Sequence, residues 1–275
     1  MSRQEVETRL ARRLGTFDSV VIGLGAMIGA GVFSALGPAA GEAGNGLLLG
    51  LLLAAFVAFC NATSSAELAA LYPEAGGTYV YGRRRLGPFW GYLAGWAFVV
   101  GKVASCAAMA LTFGNYVDGE LARPLGIGAA AGLAAVNYFG VQKTAALTRA
   151  IVALVIASLA AVVAACLLGG QADADRLTPL VDDEHGVFGI LQAAGLLFFA
   201  FAGYARIATL GEEVRDPARV IPRAIPIALS ITLVVYAAVA VAALMAVGPG
   251  VLAEADAPLA AAVRAGDQGE AAVVV

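Results

Sequence analysis

The stretch IGLGAMIGAGVF, residues 22–33, sets Gly23, Gly25, Gly29 and Gly31 inside an apolar run long enough to form one helix. Each glycine in a water-exposed helix costs about 1 kcal/mol relative to alanine, so four in so short a run need a reason. That reason depends on the solvent around the chain. Of 275 residues, 60% are hydrophobic and 13% charged, and mean hydropathy is +0.84. Soluble domains carry about 25% charged residues. Apolar residues fall in runs at 19–40, 46–71, 88–113, 124–141, 148–169, 186–211 and 224–247, each near the ~20 residues that cross a bilayer's hydrocarbon. These seven runs predict an all-α polytopic membrane protein.

Residues 1–18, MSRQEVETRLARRLGTFD, are polar and hold no short apolar core before a small-residue cleavage site. The first span is therefore expected to serve as its own targeting signal. Residues 248–275 read as an outside loop followed, at EAAVVV, by the start of a truncated eighth span. Cys60, Cys106 and Cys166 lie in apolar runs without metal or disulfide spacing and read as packing thiols.

Lys and Arg placement orients a membrane chain, because basic residues are retained on the cytoplasmic side. Arg3, Arg9, Arg12 and Arg13 precede the first span, Arg83, Arg84 and Arg85 follow the second, and Lys143 and Arg149 flank the turn after the fourth. Arg206, Arg215, Arg219 and Arg223 surround the connection after the sixth. The alternate loops hold Arg123, Arg176 and Arg264 among acidic residues such as Asp173, Asp175, Asp182, Asp183 and Glu184. The pattern predicts a cytoplasmic N-terminus in the cell membrane.

Within this solvent the glycines have three readings. A dinucleotide-binding fingerprint would need glycine at Ile28 and a preceding strand. Small-residue packing through Gly25 and Gly29 would let two membrane helices approach closely. A helix broken at mid-bilayer would expose backbone groups to a polar substrate, which is tolerated only around a cavity or protein interior. In that reading a half-helix beginning near Val32 points its positive end at a carboxylate, and one ending near Met27 offers carbonyls to an ammonium group. The sixth run has a matching interruption at Gly203, in FFAFAGYARIATLGEE. Paired interruptions in corresponding positions of two halves point to a transporter's binding site.

Three stretches resemble motifs of the amino acid–polyamine–organocation superfamily of amino acid permeases. GAMIGAGVF resembles its first-span G-x-x-I-G-x-G-I-F. AELAALYPEAGGTYVYGRRRLGPFWGYLAGW, from Ala66, resembles its signature across spans 2 and 3. FFAFAGYARIATLGEEVRDPARVIPRAI, from Phe198, resembles its signature across spans 6 and 7. The resemblance implies a leucine-transporter-type inverted-repeat fold, with helices 1 and 6 broken, and alternating access around a central site. By it, Ile28, Gly29, Ala30 and Gly31 meet the substrate carboxylate. Phe199, Ala200, Phe201, Ala202 and Gly203 form the opposite wall, with Phe199 or Phe201 occluding the substrate.

Two departures from the family pattern matter. Ala30 stands where some relatives carry a serine, and the fifth span has no lysine: Leu154, Val155 and Ile156 lie near its usual place. Lys102, inside WAFVVGKVASCAAMAL, is the compensating feature. An ammonium at mid-span costs about 2.5–3.5 kcal/mol on insertion scales. Lys102 is either a lysine that snorkels or caps broken-helix carbonyls, or a coupling group that changes protonation during transport. Glu67, Glu212 and Glu213 are expected to pair with Arg83, Arg84, Arg85, Arg215 and Arg219, and are candidates for a cytoplasmic gate.

The spans contain no nucleophile with its base and no metal-ligand spacing, which argues against an enzyme. Their Ala, Val, Leu and Gly content argues against a water-filled channel. The expected function is secondary active transport of an amino acid, proton-coupled or by exchange. A non-transporting sensor or partner-dependent subunit of the same fold is the alternative. No cofactor, metal or nucleic acid is called for; the expected partners are the substrate, protons and the lipid bilayer. In a variant cleared of native cysteines, an impermeant thiol reagent added to intact cells is expected to label His185→Cys and spare Arg84→Cys. The reverse pattern would overturn the orientation.

Overall fold

The computed structural model describes residues 14–72, 76–138, 145–170, 172–181, 183–211 and 213–266. It is helical, and no strand occurs among the described residues. The first apolar run forms α1 (Thr16–Met27), α2 (Ala30–Ser34) and α3 (Leu36–Ala43). Ala35 between the last two keeps right-handed helical angles, and the bonds Ala35 N–H to Gly31 O and Ala39 N–H to Ala35 O carry the ladder through. The run is therefore two half-helices separated at Ile28 and Gly29. The second run is α4 (Leu47–Leu71), entered by a 3-10 turn, Gly44–Gly46.

Next come α5 (Thr78–Leu86) and α6 (Pro88–Val117). Between them Gly87 takes φ +105°, which side-chain-bearing residues rarely adopt, and Pro88 starts α6 where no intrahelical N–H is required. The fourth run corresponds to α7 (Ala122–Tyr138), and 139–141 lie outside the described residues. The fifth is α8 (Ala145–Leu168). The sixth is α9 (Gly186–Phe201), a 3-10 turn (Ala202–Tyr204) and α10 (Ala205–Ala208).

The seventh is α11 (Pro217–Glu254), longer at both ends than its apolar run. Pro222 and Pro226 lie inside it. The chain turns at Gly248, φ +75°, just before Pro249. Arg176 donates from outside to the carbonyls of Met245 (3.0 Å) and Ala246, a cation at carbonyls that the turn leaves without helical partners. Residues 248–266, expected as an outside loop, hold the end of α11 and α12 (Pro258–Gly266). Tyr116 of α6 pins this segment, accepting from Leu259 N–H (3.2 Å) and donating to Phe33 O (2.9 Å).

Among the described residues six stretches are long and apolar enough to cross a membrane, 16–34, 36–71, 88–117, 146–168, 186–208 and 217–254; the expected fourth span, described only as α7, is not among them. Side chains such as Trp96 (59% exposed), Val103 (66%) and Leu154 (68%) stand outward, an arrangement that hydrocarbon accepts and water does not. Lipid supplies no hydrophobic force between helices, so close packing must hold them together. The device is a small-residue stripe at every fourth position of α4: Gly50, Ala54, Ala58, Ala62 and Ala66, all buried. It lies against α9 and α11, and a Cβ on Gly50 would come within 3.0 Å of Ala193 Cβ. Ala58→Leu is expected to cost about 1–3 kcal/mol by overpacking. A thermal unfolding midpoint in detergent, with Val57→Leu on the open face as control, checks it.

Candidate functional site

The break in span 1 has a definite backbone. Ile28 sits at φ −78°, ψ 80° and Gly29 at φ −142°, ψ −146°, neither helical. The amide of Ile28 donates to Leu24 O (2.7 Å) and that of Gly29 to Met27 O (2.9 Å). The family resemblance placed both among the carboxylate-binding groups. Local bonds already occupy these two, which leaves the first turn of α2, from Ala30 onward, with amides free of helical partners.

Span 6 behaves differently. Phe201, Ala202, Tyr204 and Ala205 all retain right-handed angles, so the helix tightens into a 3-10 turn rather than unwinding. The expectation of two equally broken helices is corrected here. Gly203 lies against the carbonyl of Ala26 and the amide of Met27, where a Cβ would be within 2.6 Å of the Met27 nitrogen. Gly31 lies in turn against Ala200, with its Cα 2.6 Å from the place of a Cβ. Each interrupted span thus uses one glycine to seat its backbone on the other.

The remaining span 1 glycines divide by neighbour. Gly23 faces Ile207 and Ala228, and Gly25 faces Val152 of α8. Gly29 alone of the four has no atom within 4 Å of the point a Cβ would occupy, and it opens to a cavity. The stretch therefore combines close packing with a break.

That cavity has a volume of about 340 Å³, within the range of small-ligand sites. Gly29, Ala30 and Gly31 line it from span 1, together with Gly25, Ala26 and Met27. The sixth span contributes Phe198, Phe199, Ala200, Ala202, Gly203, Tyr204 and Ala205. From α6 come Ala97, Phe98, Gly101, Lys102, Ser105 and Met109, and from α4 comes Asn61. Two expected residues stand apart. Ile28 is 5% exposed, and Phe201 is fully buried with its ring 5.2 Å from that of Tyr236. Phe199 is the one of the aromatic pair that reaches the hollow.

Lys102 is exposed at the cavity rather than enclosed by protein. Its ammonium lies 5.7 Å from the centroid of the Phe98 ring, one turn earlier on α6, a favourable cation–π distance. Below the cavity a second hollow of about 130 Å³ shares Asn61, Phe98, Tyr204 and Ala205 with it and continues along Ser65, Thr78, Tyr79 and Thr209. Tyr81 closes its edge. Burial pushes its phenol up to about 12, so it remains protonated and donates at 3.4 Å to Ala208 O.

At the end of the bundle where α1 starts, the charges pair differently from expectation. Arg149 donates twice to one carboxylate oxygen of Asp18, at 2.6 and 3.2 Å. Arg219 meets Asp216 at 3.6 Å, three residues before it. Among the described residues neither Glu67 nor Glu213 forms an ion pair, and Glu212 lies outside them. Beside Glu213 the backbone is engaged by Leu14: Leu14 N–H donates to Glu213 O and Arg215 N–H to Leu14 O, both at 3.1 Å.

Sequence reasoning missed Asn61, Ser105 and Tyr204 at the cavity and Tyr236 behind it. The available signal was polarity. Asn61 interrupts an apolar run, and Thr232 and Tyr236 stand four apart in another. A membrane helix rarely carries such groups without a partner.

The described residues thus form an all-helical chain of the polytopic membrane class, with a polar-edged cavity between two interrupted spans. Residues 18–260 match the model of the amino acid permease family, and the chain belongs to that family. It is 65% identical over 261 residues to an uncharacterized transporter of Mycobacterium tuberculosis, covering 95% of this chain and 59% of the relative. It is 26% identical over 258 residues to the branched-chain amino acid permease BcaP of Bacillus subtilis, covering 85% and 54%. It is 28% identical over 254 residues to cationic amino acid transporter 5 of Arabidopsis thaliana, covering 85% and 44%. The chain thus spans roughly half the length of these relatives.

Two glycine substitutions separate packing from cavity. Gly203→Ala drives a methyl into the span 1 backbone and is expected to lower the unfolding midpoint of the purified protein sharply. Gly29→Ala meets open space and is expected to shift stability by no more than about 0.5 kcal/mol. Equal effects would refute the assignment.

Proposed function

We propose that the protein is a secondary active transporter that moves amino acids across the cytoplasmic membrane by alternating access, in a leucine-transporter-type arrangement. The observation that carries this reading is the 340 Å³ cavity set where α1 stops and α2 begins, against the tightened turn of span 6. The substrate carboxylate lies at the α2 amides of Ala30 and Gly31, held by backbone N–H groups because Ala30 has no hydroxyl. The ammonium group lies toward the carbonyl side of span 6, near Ala200, Ala202 and Gly203. Phe199 covers the bound molecule.

Lys102 decides which side chains fit and is the coupling group. Its ammonium lines the cavity, and Asn61, Ser105 and Tyr204 are the other polar side chains there, with no carboxylate among the described lining residues. A fixed cation opposes a cationic substrate in a low-dielectric site. The reading is therefore a neutral amino acid, in keeping with the name of the Bacillus relative and unlike that of the Arabidopsis one. Exposure to the cavity gives Lys102 a route to exchange its proton in proton-coupled uptake.

The orientation read from the basic loops puts the start of α1 on the cytoplasmic side. The Leu14–Val214 bridge and the Asp18–Arg149 pair then close the inward path, at a hollow that Glu213 also lines; Glu67 and Glu212 remain gate candidates from the sequence. Exposed ion pairs contribute only about 0–1 kcal/mol each, which suits a gate that must open.

Proteoliposomes holding the protein are expected to accumulate labelled leucine saturably, with competition by excess neutral amino acids and little by arginine. An inward proton gradient is expected to stimulate uptake, and Lys102→Ala to abolish that stimulation. Binding without uptake identifies a sensor instead. Full proton-dependent uptake by Lys102→Ala removes the coupling role.

A further inference from the structure

Span 7 lines no part of the central cavity among the described residues, yet one of its side chains touches both interrupted spans. Tyr236 is 2% exposed. Its hydroxyl lies 2.5 Å from the carbonyl oxygen of Met27, the last residue of α1, and 3.1 Å from that of Ala200, next to last in α9. Both residues line the cavity on their other side. The tyrosine ring rests on Phe201 at 5.2 Å between centroids. Thr232, one helical turn earlier and fully buried, sits 3.8 Å from the Met27 sulfur.

The chemistry follows from the donor count. The break at Ile28 ends the α1 ladder, so the Met27 carbonyl loses its ordinary helical partner; Gly29 N–H takes one of its lone pairs at 2.9 Å and the Tyr236 hydroxyl takes the other. A carbonyl at membrane depth has no bulk water to bond. A phenol has one proton, so Tyr236 serves Met27 and Ala200 by sharing that proton or by passing it between them. The hydroxyl also fixes the distance between the two carbonyls, and with it the separation of the backbones that face the cavity.

We propose that Tyr236 is a positioning residue of the substrate site: its hydroxyl ties the broken end of α1 to the end of α9, sets the spacing of the two backbones that hold the substrate, and redistributes its single proton between their carbonyls as the spans move. The proposal rests on reading the cavity as the substrate site. It places in span 7 a determinant of affinity that never contacts the substrate.

Tyr236→Phe keeps the ring on Phe201 and removes only the hydroxyl. Two measurements on the purified protein test it, with Thr232→Val as a neighbour that also abuts Met27 and Gly29→Val as a variant that fills the cavity. In hydrogen–deuterium exchange, Tyr236→Phe is expected to speed exchange severalfold at residues 26–32 and 200–206 together, and Thr232→Val is expected not to. In equilibrium binding of labelled leucine, Tyr236→Phe is expected to weaken affinity about tenfold at a temperature well below unfolding. Faster exchange at one break only, or at neither, overturns the tie. Unchanged affinity in Tyr236→Phe while Gly29→Val abolishes binding overturns the positioning role and leaves the site reading standing. If neither variant alters affinity, or leucine does not bind the parent protein, the site reading fails and takes the positioning role with it. The exchange result still decides whether the tie exists.

Discussion

The backbones of the first and sixth spans touch at two points, and the rest of the site depends on that contact. Gly203 seats on Ala26 and Met27, and Gly31 on Ala200. A membrane interior gives helices no hydrophobic reason to associate, so approach at backbone distance, where dispersion and polar contacts are strongest, is how they hold. Because the two spans meet on both sides of the α1 break, the break is braced rather than loose. The cavity is the space left between the two seats.

Such a brace has a polar cost, and the fold meets it locally. Ile28 and Gly29 donate to Leu24 and Met27 within their own segment, and the Tyr236 hydroxyl reaches the Met27 carbonyl from span 7. Buried backbone groups are nearly always paired, and here pairing decides which of them remain available. The result is asymmetric: span 1 is open at its break, and span 6 is only narrowed. The two sides can therefore do different work, one presenting free amides and the other a smooth wall of Ala200, Ala202 and Gly203. The same economy appears at the other end, where backbone bonds from Leu14 to Glu213 and from Arg215 to Leu14 join the segment before α1 to the one after α10.

Much of the architecture was legible from composition and periodicity. Runs of about twenty apolar residues read as helices, because at membrane depth every backbone group must be paired inside its own segment. Six of the seven runs contain a stretch long and apolar enough to cross among the described residues. The interruption near Gly29 was legible from the glycine cluster at mid-span and its counterpart at Gly203, whereas only the structure showed that Gly29 has no packing partner and the other three do. Boundaries were less so. Helix α11 continues through Pro222 and Pro226, where proline would ordinarily mark a helix end. At the start of α12 the Leu259 amide donates to the Tyr116 hydroxyl, which itself donates to the Phe33 carbonyl, a long-range contact that no local pattern announces.

The sequence by itself determined the solvent, the number of apolar runs, the family and the location of the span 1 break, since these follow from hydropathy, glycine placement and contiguous motifs. Tertiary structure decided which side chains face the hollow. Phe199 and Phe201 lie two residues apart, and helical geometry alone cannot say which one α11 will cover; Tyr236 takes Phe201 and leaves Phe199 free. It decided also that Lys102 shares a cavity with Asn61 and Tyr204, residues far apart in the chain. The physical reason is common to both: periodicity specifies a face within one helix, whereas the neighbour of that face is chosen by how whole helices pack.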